Sequence, residues 1–309
     1  MKEKVEFEQV IERGCGLDVH KENVTATILG KGIKQQTREF KTYTRSLISL
    51  RDWLLRHGIT HVAMESTGVY WKPIYNIIGD HFTILLVNAR HVKNVPGKKT
   101  DQKDSQWLAK LLMAGLLQGS FIPNRKIREL RDLVRYKTKL TNQISSEKNR
   151  LIKMLEDANI KLSSVLSDIF GVTGRKIIHD IVESDYKPEQ LLYHVHGKVQ
   201  KSRAEIKEAI TGNVTDHHRF MMQTILGSIE KIEETIGILD TQIAEQTAEY
   251  GLELELLDGI PGVDKDGAIS ILSEIGVDMS VFPDEKHLAK WAGMCPGNNE
   301  TGGKKKVEG

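Results

Sequence analysis

The stretch RGCGLDVHKENVTATIL, residues 13–29, has the pattern of two β-strands joined by a short turn. On both sides of the polar residues 21–23, apolar side chains alternate with other residues, as they do in half-buried strands. Leu17 and Val19 flank Asp18 on the first strand. The sequence therefore predicts a β-hairpin that carries an acidic residue on its first strand.

The segments that follow the hairpin alternate between strand and helix. A third strand is predicted near residues 37–40, and an amphipathic helix follows over about residues 46–56. Two short apolar runs, ITHVAMES and HFTILLVNA, then predict buried strands, the first of which closes on Glu65. Strands that alternate with helices indicate an α/β fold for this part of the chain.

A pair of carboxylates opens the next predicted helix. In KKTDQKDSQWLAKLL, residues 98–112, Asp101 and Asp104 are three positions apart and precede apolar residues at helical spacing. Like charges on one helix face repel unless a cation lies between or opposite them. Three neighbouring lysines are candidates for that cation: Lys98, Lys99 and Lys103. A divalent metal is the alternative, and it requires further carboxylates from elsewhere in the chain.

Beyond residue 123 the pattern becomes helical throughout. Residues 125–160 carry apolar side chains at helical spacing without a glycine, so one long helix is predicted. A later helix has an apolar seam whose positions step by three and four: Met222, Ile225, Ile229, Ile232, Ile236, Leu239 and Ile243. Such a heptad seam is typical of a coiled coil, which pairs either with the first long helix or with another copy of the chain. Gly171, Gly174 and Pro188 are expected to break shorter helices between the two.

The segment LLDGIPGVDKDGAISILSEIG predicts two helices around a tight turn. It is similar to a helix-hairpin-helix element, whose turn can present backbone N–H groups to a phosphate. A plain turn between two packed helices would favour the same proline and glycine. Both interpretations stay open from the sequence.

The composition is that of a folded cytoplasmic protein. A chain of 309 residues with 39% hydrophobic content can bury a sizeable core in two or three domains. No apolar run approaches the ~18–20 residues that span a membrane, and the first residues lack the apolar stretch of a signal peptide. Cys15 and Cys295 lie in apolar surroundings without metal-ligand spacing, so buried, reduced thiols are expected.

Basic residues are concentrated between residues 90 and 153, although the net charge of the chain is only +2. A solvated helix face usually mixes its signs more evenly, so the concentration favours phosphate binding over a plain solvated face. The candidate nucleic-acid contacts, which include two lysines near residue 305, are Lys98, Lys99, Lys103, Arg125, Arg128, Arg131, Arg135, Lys304 and Lys305.

Four acids occupy informative places in the predicted fold: Asp18, Glu65, Asp101 and Asp104. In RNase H-like folds, carboxylates at such places converge at the edge of the sheet on one or two Mg²⁺ ions. Mg²⁺ takes oxygen ligands and keeps water and substrate phosphates in its shell. Two such ions about 4 Å apart stabilise the attacking and leaving oxygens of phosphodiester cleavage. The sequence therefore predicts a metal-dependent nuclease site.

Four blocks together resemble the DEDD-type insertion-sequence transposases of family one-ten: GLDVHKENVTATIL, AMESTGVYWKPIYNII, LVNARHVKNVPGKKTDQKDSQWLAKLLMAGLL, and IPGV with LAKWAGMCPGNNETGGK. This group is related to Piv-type DNA invertases and includes bridge-RNA-guided recombinases. The resemblance implies a RuvC-like, RNase H-like nuclease domain at residues 1–122. It further implies a coiled-coil assembly region at 123–250 and a partial all-α C-terminal transposase domain at 251–309.

The resemblance also implies a reaction and a set of partners. Asp18, Glu65, Asp101 and Asp104 match the four metal-site acids of the family. Members cut and rejoin DNA through a covalent protein–DNA intermediate formed by a C-terminal serine, and a non-coding RNA guides some of them. The expected partners are Mg²⁺, DNA, a guide RNA and further copies of the chain joined through the coiled coil, at the nucleoid of a bacterial or archaeal cytoplasm.

Two departures from the family pattern bear on activity. Thr301 stands where the family has its nucleophilic serine, and family members continue through a helical stretch beyond residue 309. We therefore expect a truncated copy that forms little covalent adduct with DNA. Two alternatives follow: a catalytically inactive competitor that binds nucleic acid and the full-length transposase, or a RuvC-like junction endonuclease that needs no protein nucleophile.

Overall fold

The computed structural model describes most of the chain, namely residues 10–66, 68–88, 92, 104–183, 187–195, 201–294, 300–301 and 304–305. The chain divides into two compact units, Met1–Ile122 and Pro123–Gly309. Within the described residues, no helix is both long and apolar enough to cross a membrane. The first unit holds a mixed sheet with helices, and the second is mainly helical.

A five-stranded mixed sheet forms the frame of the first unit. Its strands are β1 (Arg13–Val19), β2 (Asn23–Gly30), β3 (Gln36–Lys41), β4 (His61–Glu65) and β5 (Thr83–Val87). They lie in the order β3-β2-β1-β4-β5. β2 runs antiparallel to β1 and β3, whereas β4 runs parallel to β1 and β5. The predicted hairpin, the third strand and both later strands are confirmed.

Helices cover both faces of this sheet: α1 (Thr44–Arg56), α2 (Trp71–Ile78) and α3 (Asp104–Met113). One core joins β1 to α1 and α2, and its buried residues include Cys15, Leu17, Leu50, Trp53 and Ile74. On the other face, Leu108 and Leu111 of α3 form a cluster with Val87. α1 confirms the predicted amphipathic helix, and Gly58 follows it with a φ of +62°.

The buried thiol of Cys15 belongs to the first of these cores. It is a free cysteine, as predicted, and burial raises the pKa of its thiol, which leaves it protonated and unreactive at neutral pH. Cys295 lies outside the described residues.

Glycine in β1 allows α3 to lie directly on the central strand. A β-carbon at Gly16 would be 2.2 Å from the carbonyl oxygen of Ser105 and 2.4 Å from the amide nitrogen of Ala109. Both are backbone atoms, so neither can rotate away from a side chain at this position. The absence of a side chain at Gly16 therefore sets the distance between helix and sheet.

The second unit consists mainly of helices. In chain order they are α4 (Arg125–Asp157), α5 (Leu162–Val165), α6 (Val172–Glu183), α7 (Pro188–Leu191), α8 (Arg203–Ala209), α9 (Asp216–Thr247), α10 (Gly251–Asp258), α11 (Lys265–Ile275) and α12 (Glu285–Trp291). Short 3₁₀ turns follow at Leu192–His194, Ala248–Tyr250 and Met279–Val281. Two short strands pair near the end of the chain, β6 (Glu300–Thr301) and β7 (Lys304–Lys305).

The two long helices, α4 and α9, pack side by side in opposite directions. His218 Nε2 lies 2.9 Å from Asp157 Oδ2, where α4 ends and α9 begins. At the other end Lys126 Nζ lies 2.8 Å from Glu249 Oε1. The apolar seam of α9 is buried in this chain's own core at Met222, Ile225, Ile229, Ile232, Leu239 and Ile243. Of the two pairings that the sequence left open, the structure has the one within the chain.

One expectation about the connecting helices is wrong. Gly174 does not break a helix but lies within α6, where a β-carbon would be 2.1 Å from the carbonyl oxygen of Ile169. Pro188 does mark a helix boundary, since it begins α7 as its first residue, a position that needs no backbone N–H donor. Gly174 therefore serves close packing, whereas Pro188 separates two helices by beginning the second.

The predicted pair of helices around the IPGV turn is present as α10 and α11. Gly262 in the turn has a φ of +89°, a conformation that other residues rarely adopt. Asp264 begins α11 by accepting a hydrogen bond from the Gly267 amide at 2.8 Å. The turn is thus defined by backbone geometry and by an N-cap.

Truncating the buried seam is expected to destabilise the second unit. Ile229 is 0% exposed, so Ile229→Ala should lower the free energy of unfolding by about 2–5 kcal/mol, the cost of removing a buried aliphatic side chain. Ile238 on the same helix is 64% exposed, and Ile238→Ala should change the free energy of unfolding by less than about 0.5 kcal/mol. Urea unfolding followed by circular dichroism measures both. Equal effects of the two variants would show that the seam is not packed as described.

Candidate metal centre and nucleic-acid contacts

Three of the predicted metal-site acids come from elements that meet at one edge of the sheet. In the parallel pair β1 and β4, Leu17 is paired with Met64. The next residues on the two strands are Asp18 and Glu65, so these acids lie on neighbouring strands at their carboxyl ends. Asp104 is the first residue of α3, the helix that packs on the same strands.

The alternation of side chains along the strands places these acids on the face that α3 covers. Asp18 shares a face with Gly16, because residues two apart point the same way, and Gly16 contacts the backbone of α3. Glu65 is paired with Val87 on β5, and Val87 packs in the α3 cluster. Asp18, Glu65 and the start of α3 therefore face one another across the sheet edge.

The carboxylates at this edge are accessible to solvent. The Asp18 side chain is 27% exposed, and its Oδ2 lies 3.3 Å from Nε2 of His20. Glu65 is half-buried and Asp104 is exposed. Ions and substrate phosphates can reach such groups, and their donors are all oxygen, the ligand that Mg²⁺ prefers.

The remaining residues predicted for this site lie outside the described part of the chain. These are Asp101, Lys98, Lys99 and Lys103. Among the residues that the structure describes, no three His, Cys, Asp or Glu side chains are grouped closely enough to hold a metal ion. Asp18, Glu65 and Asp104 thus supply suitable donor atoms at one edge without forming a compact three-residue cluster by themselves.

Three hydroxyl side chains near the acids are joined by hydrogen bonds that the sequence patterns did not reveal. Ser105, directly after Asp104, has its Oγ 2.9 Å from Oγ1 of Thr27 on β2. Thr27 Oγ1 lies a further 2.9 Å from Oγ1 of Thr37 on β3. Ser105 and Thr27 are both fully buried. The local patterns of strand and helix gave no signal for the contact between Ser105 and Thr27, because it joins positions 78 residues apart.

Two of the predicted phosphate-binding arginines bind the end of α11 within the second unit. Arg131 donates from Nε to the carbonyl oxygen of Ser273 at 3.1 Å and from Nη2 to that of Glu274 at 2.6 Å. Arg135 donates two hydrogen bonds to the Glu274 carboxylate, at 2.6 and 2.9 Å. Burial lowers the pKa of Arg131, whereas the hydrogen bonds to Glu274 raise that of Arg135. Their donors are therefore used inside this unit.

Other basic residues of α4 are open to solvent. Arg125 is 84% exposed and donates to Glu129 Oε1 at 2.8 Å, while Lys126 is 70% exposed and pairs with Glu249. Exposed ion pairs contribute little free energy, so a phosphate can replace the carboxylate partner. Arg128 is half-buried on the same helix.

A cleft of about 750 Å³ lies in the second unit among α4, α9, α10 and α11. Lys137 on its wall lies 2.7 Å from Asp240 Oδ1 and 3.1 Å from Asp266 Oδ1. Burial opposes the charge of Lys137, but the hydrogen bonds to these two aspartates outweigh it and raise the pKa of the ammonium group. Lys137 therefore links three helices rather than standing open to a phosphate.

The candidate nucleophile lies on one of the two short paired strands near residue 300. Thr301 on β6 is paired with Lys304 on β7, and Glu300 is paired with Lys305. Backbone register thus brings the candidate hydroxyl residue opposite one of the two predicted basic residues, Lys304 and Lys305.

Comparison with known proteins supports a family relationship over two parts of the chain. The profile of the DEDD transposase domain of IS110 elements, described as "Transposase", matches residues 15–160. A second profile, "Transposase IS116/IS110/IS902 family", matches residues 254–309. Asp18, Glu65 and Asp104 fall within the first match, and Thr301 falls within the second.

Two curated relatives align along nearly the whole chain. The "Pilin gene-inverting protein" of Moraxella lacunata is 23% identical over 300 residues, which covers 93% of this chain and 73% of the relative. The protein of the same description from Moraxella bovis aligns with the same identity and coverage. Since regions similar to both transposase domains occur in this order, the chain is an enzyme of the transposase and site-specific recombinase class.

Proposed function

We propose that this transposase cuts and rejoins DNA strands at a Mg²⁺-dependent site formed by Asp18, Glu65, Asp101 and Asp104. The observation that carries the proposal is the position of Asp18 and Glu65 at the carboxyl ends of neighbouring parallel strands, with Asp104 at the start of the helix that covers them. The strand order β3-β2-β1-β4-β5 supports the RNase H-like, RuvC-like fold that the family resemblance implies.

The four carboxylates would hold one or two Mg²⁺ ions, which supply Lewis-acid stabilisation of the attacking and leaving oxygens. The chain's own contribution is to place oxygen donors on rigid elements. Asp18 and Glu65 are fixed by the β1–β4 ladder, and Asp104 by the packing of α3 on Gly16. Partial exposure leaves room for a phosphodiester to approach.

A cleavage assay with a matched control tests the proposal. A plasmid that carries the gene with its flanking DNA is incubated with the protein in Mg²⁺ or in a chelator. Asp104→Asn should abolish Mg²⁺-dependent cleavage, whereas Asp80→Asn, at an exposed acid after α2, should leave it unchanged. Cleavage by Asp104→Asn at the wild-type rate would refute the assignment of this helix start to the metal site.

We extend the proposal to Thr301 as the hydroxyl nucleophile of strand exchange. Its place opposite Lys304 supports this role, since a cation near an attacked phosphate offsets its charge. The extra methyl group of threonine crowds an in-line approach. A denaturing gel with labelled DNA tests the role. We expect a low yield of adduct from this chain: its loss in Thr301→Ala supports the role, and an equal yield in Thr301→Ala rejects it. Cleavage without any adduct would instead favour the junction endonuclease.

The proposed partners are DNA and a non-coding guide RNA, which would be bound in part by the exposed basic side chains of α4. Further copies of the chain, joined through the coiled-coil region, are a third proposed partner. Within one chain, the seam of α9 packs in the core of the second unit. Absence of both cleavage and adduct, with DNA binding retained, would support the inactive competitor.

Replacing exposed basic side chains of α4 by neutral ones should change the salt dependence of DNA binding. The double variant Arg125→Gln with Lys126→Gln should reduce the slope of log affinity against log salt by about two units, close to one for each lost phosphate contact. Arg131→Gln should leave the slope unchanged and instead lower the free energy of unfolding by about 1.5–3 kcal/mol, because it removes charged hydrogen bonds to α11. Fluorescence anisotropy at several salt concentrations measures the slopes. An unchanged slope in the double variant would assign these residues to a solvated face.

A further inference from the structure

We propose that Ser105 and Thr27 are positioning residues for the metal site, which hold Asp104 at the correct place relative to Asp18. The inference rests on the proposed function. Ser105 is the second residue of α3, and its hydroxyl is bonded to Thr27 in the middle of β2 at 2.9 Å. Thr27 is paired with Gly16 on β1, and Asp18 follows Gly16 by two residues on the same face. The hydroxyl contact between Ser105 and Thr27 thus lies one residue from Asp104. It lies about 7 Å along the strand direction from Asp18.

The hydrogen bond between Ser105 and Thr27 can fix the orientation of α3 on the sheet. Ser105 and Thr27 are both 0% exposed, so neither hydroxyl can exchange its partner for water. Apolar packing alone allows a helix to slide or rotate on a sheet, whereas a buried hydrogen bond is directional and costly to leave unmade. Because Thr27 is also bonded to Thr37 at 2.9 Å, its own rotamer is held from the other side.

The effect of a small rotation of α3 shows why such a contact matters. A group at the helix surface lies about 5–6 Å from the axis, so a rotation of about 20° moves it by about 2 Å. Mg²⁺ requires near-ideal octahedral geometry with ligands at about 2.0–2.1 Å. A rotation of that size would therefore remove Asp104 from the coordination shell while leaving most of the apolar packing of α3 intact. Gly16 sets the distance between helix and sheet, and the Ser105–Thr27 bond sets the rotation.

The experiment measures metal affinity directly on the full chain without DNA. Titration calorimetry with Mg²⁺ and with Mn²⁺ is carried out on the wild type, Ser105→Ala, Thr27→Val and Thr27→Ser. Thr27→Val keeps the shape of the side chain and removes its hydroxyl, while Thr27→Ser keeps the hydroxyl. We expect Ser105→Ala and Thr27→Val to weaken metal binding by about tenfold, as the loss of supporting contacts does in other metal sites, and Thr27→Ser to stay within about twofold of the wild type.

Thermal unfolding of the same proteins separates positioning from general stability. If Ser105→Ala and Thr27→Val unfold at lower temperature but bind metal with wild-type affinity, the hydroxyls are only structural and the inference is wrong. If the wild type binds metal and Asp104→Asn abolishes that binding while Ser105→Ala does not alter it, the inference fails and the proposed function stands. A wild type that binds neither Mg²⁺ nor Mn²⁺ would overturn both.

Discussion

Asp18→Asn is expected to reduce the rate of Mg²⁺-dependent DNA cleavage by about a thousandfold. An amide keeps the size of the side chain and one oxygen, but it cannot neutralise a divalent cation. Metal ions contribute several kcal/mol of charge stabilisation to such transition states, and about 4 kcal/mol corresponds to a factor of about a thousand. Single-turnover cleavage at saturating DNA measures the change.

The fold should tolerate this substitution. Asp18 is partly exposed, and its described contact is with the exposed side chain of His20, so the free energy of unfolding should change by less than about 1 kcal/mol. His20→Ala is the matched control, because it removes the same contact without removing the carboxylate. Equal loss of cleavage in both variants would indicate that the histidine contact, rather than a metal, accounts for the role of Asp18.

Gly16→Ala is expected to prevent the native packing of α3 and to lower the free energy of unfolding by more than about 4 kcal/mol. The added β-carbon would lie 2.2 Å from one backbone atom of α3 and 2.4 Å from another, and neither can move without the helix. Cleavage should be lost at the same time, since α3 carries Asp104. Denaturant unfolding and the cleavage assay measure the two effects.

Gly14→Ala provides a control on the same strand and face. Its β-carbon would meet side-chain atoms of Leu112 at 3.0 Å and of Met113 at 3.1 Å, and these flexible groups can adjust. We expect a loss of stability of about 1–3 kcal/mol, with cleavage retained. A Gly16→Ala protein as stable and active as Gly14→Ala would contradict the close approach of α3 to β1.

The sequence predicted the elements of the first unit because their signals are local. Alternation around Asp18, a short apolar run that ends at Glu65 and helical spacing after Asp104 each arise within a few residues. These patterns also placed the acids on the correct elements. The sequence did not predict that Ser105 bonds to Thr27, because a hydroxyl contact across 78 residues leaves no periodic pattern.

The basic residues of α4 show a different limit. Arg131 and Arg125 look alike in a charge pattern, yet one binds the carbonyl groups at the end of α11 and the other is exposed. The environments of these two arginines depend on which helix packs beside α4. The tertiary fold determines that packing, so a local charge pattern does not reveal it. Gly174 illustrates the same point, since close packing against Ile169 overrides its low helix propensity.

The central claim is that the four acids bind divalent metal, and Mn²⁺ binding followed by electron paramagnetic resonance tests it most directly. The wild-type chain should bind one or two Mn²⁺ ions that Mg²⁺ displaces. The variant that combines Asp18→Asn, Glu65→Gln, Asp101→Asn and Asp104→Asn should bind none at the same concentration while it retains the wild-type circular dichroism spectrum. Mn²⁺ binding by the folded fourfold variant with wild-type affinity and stoichiometry would contradict the account.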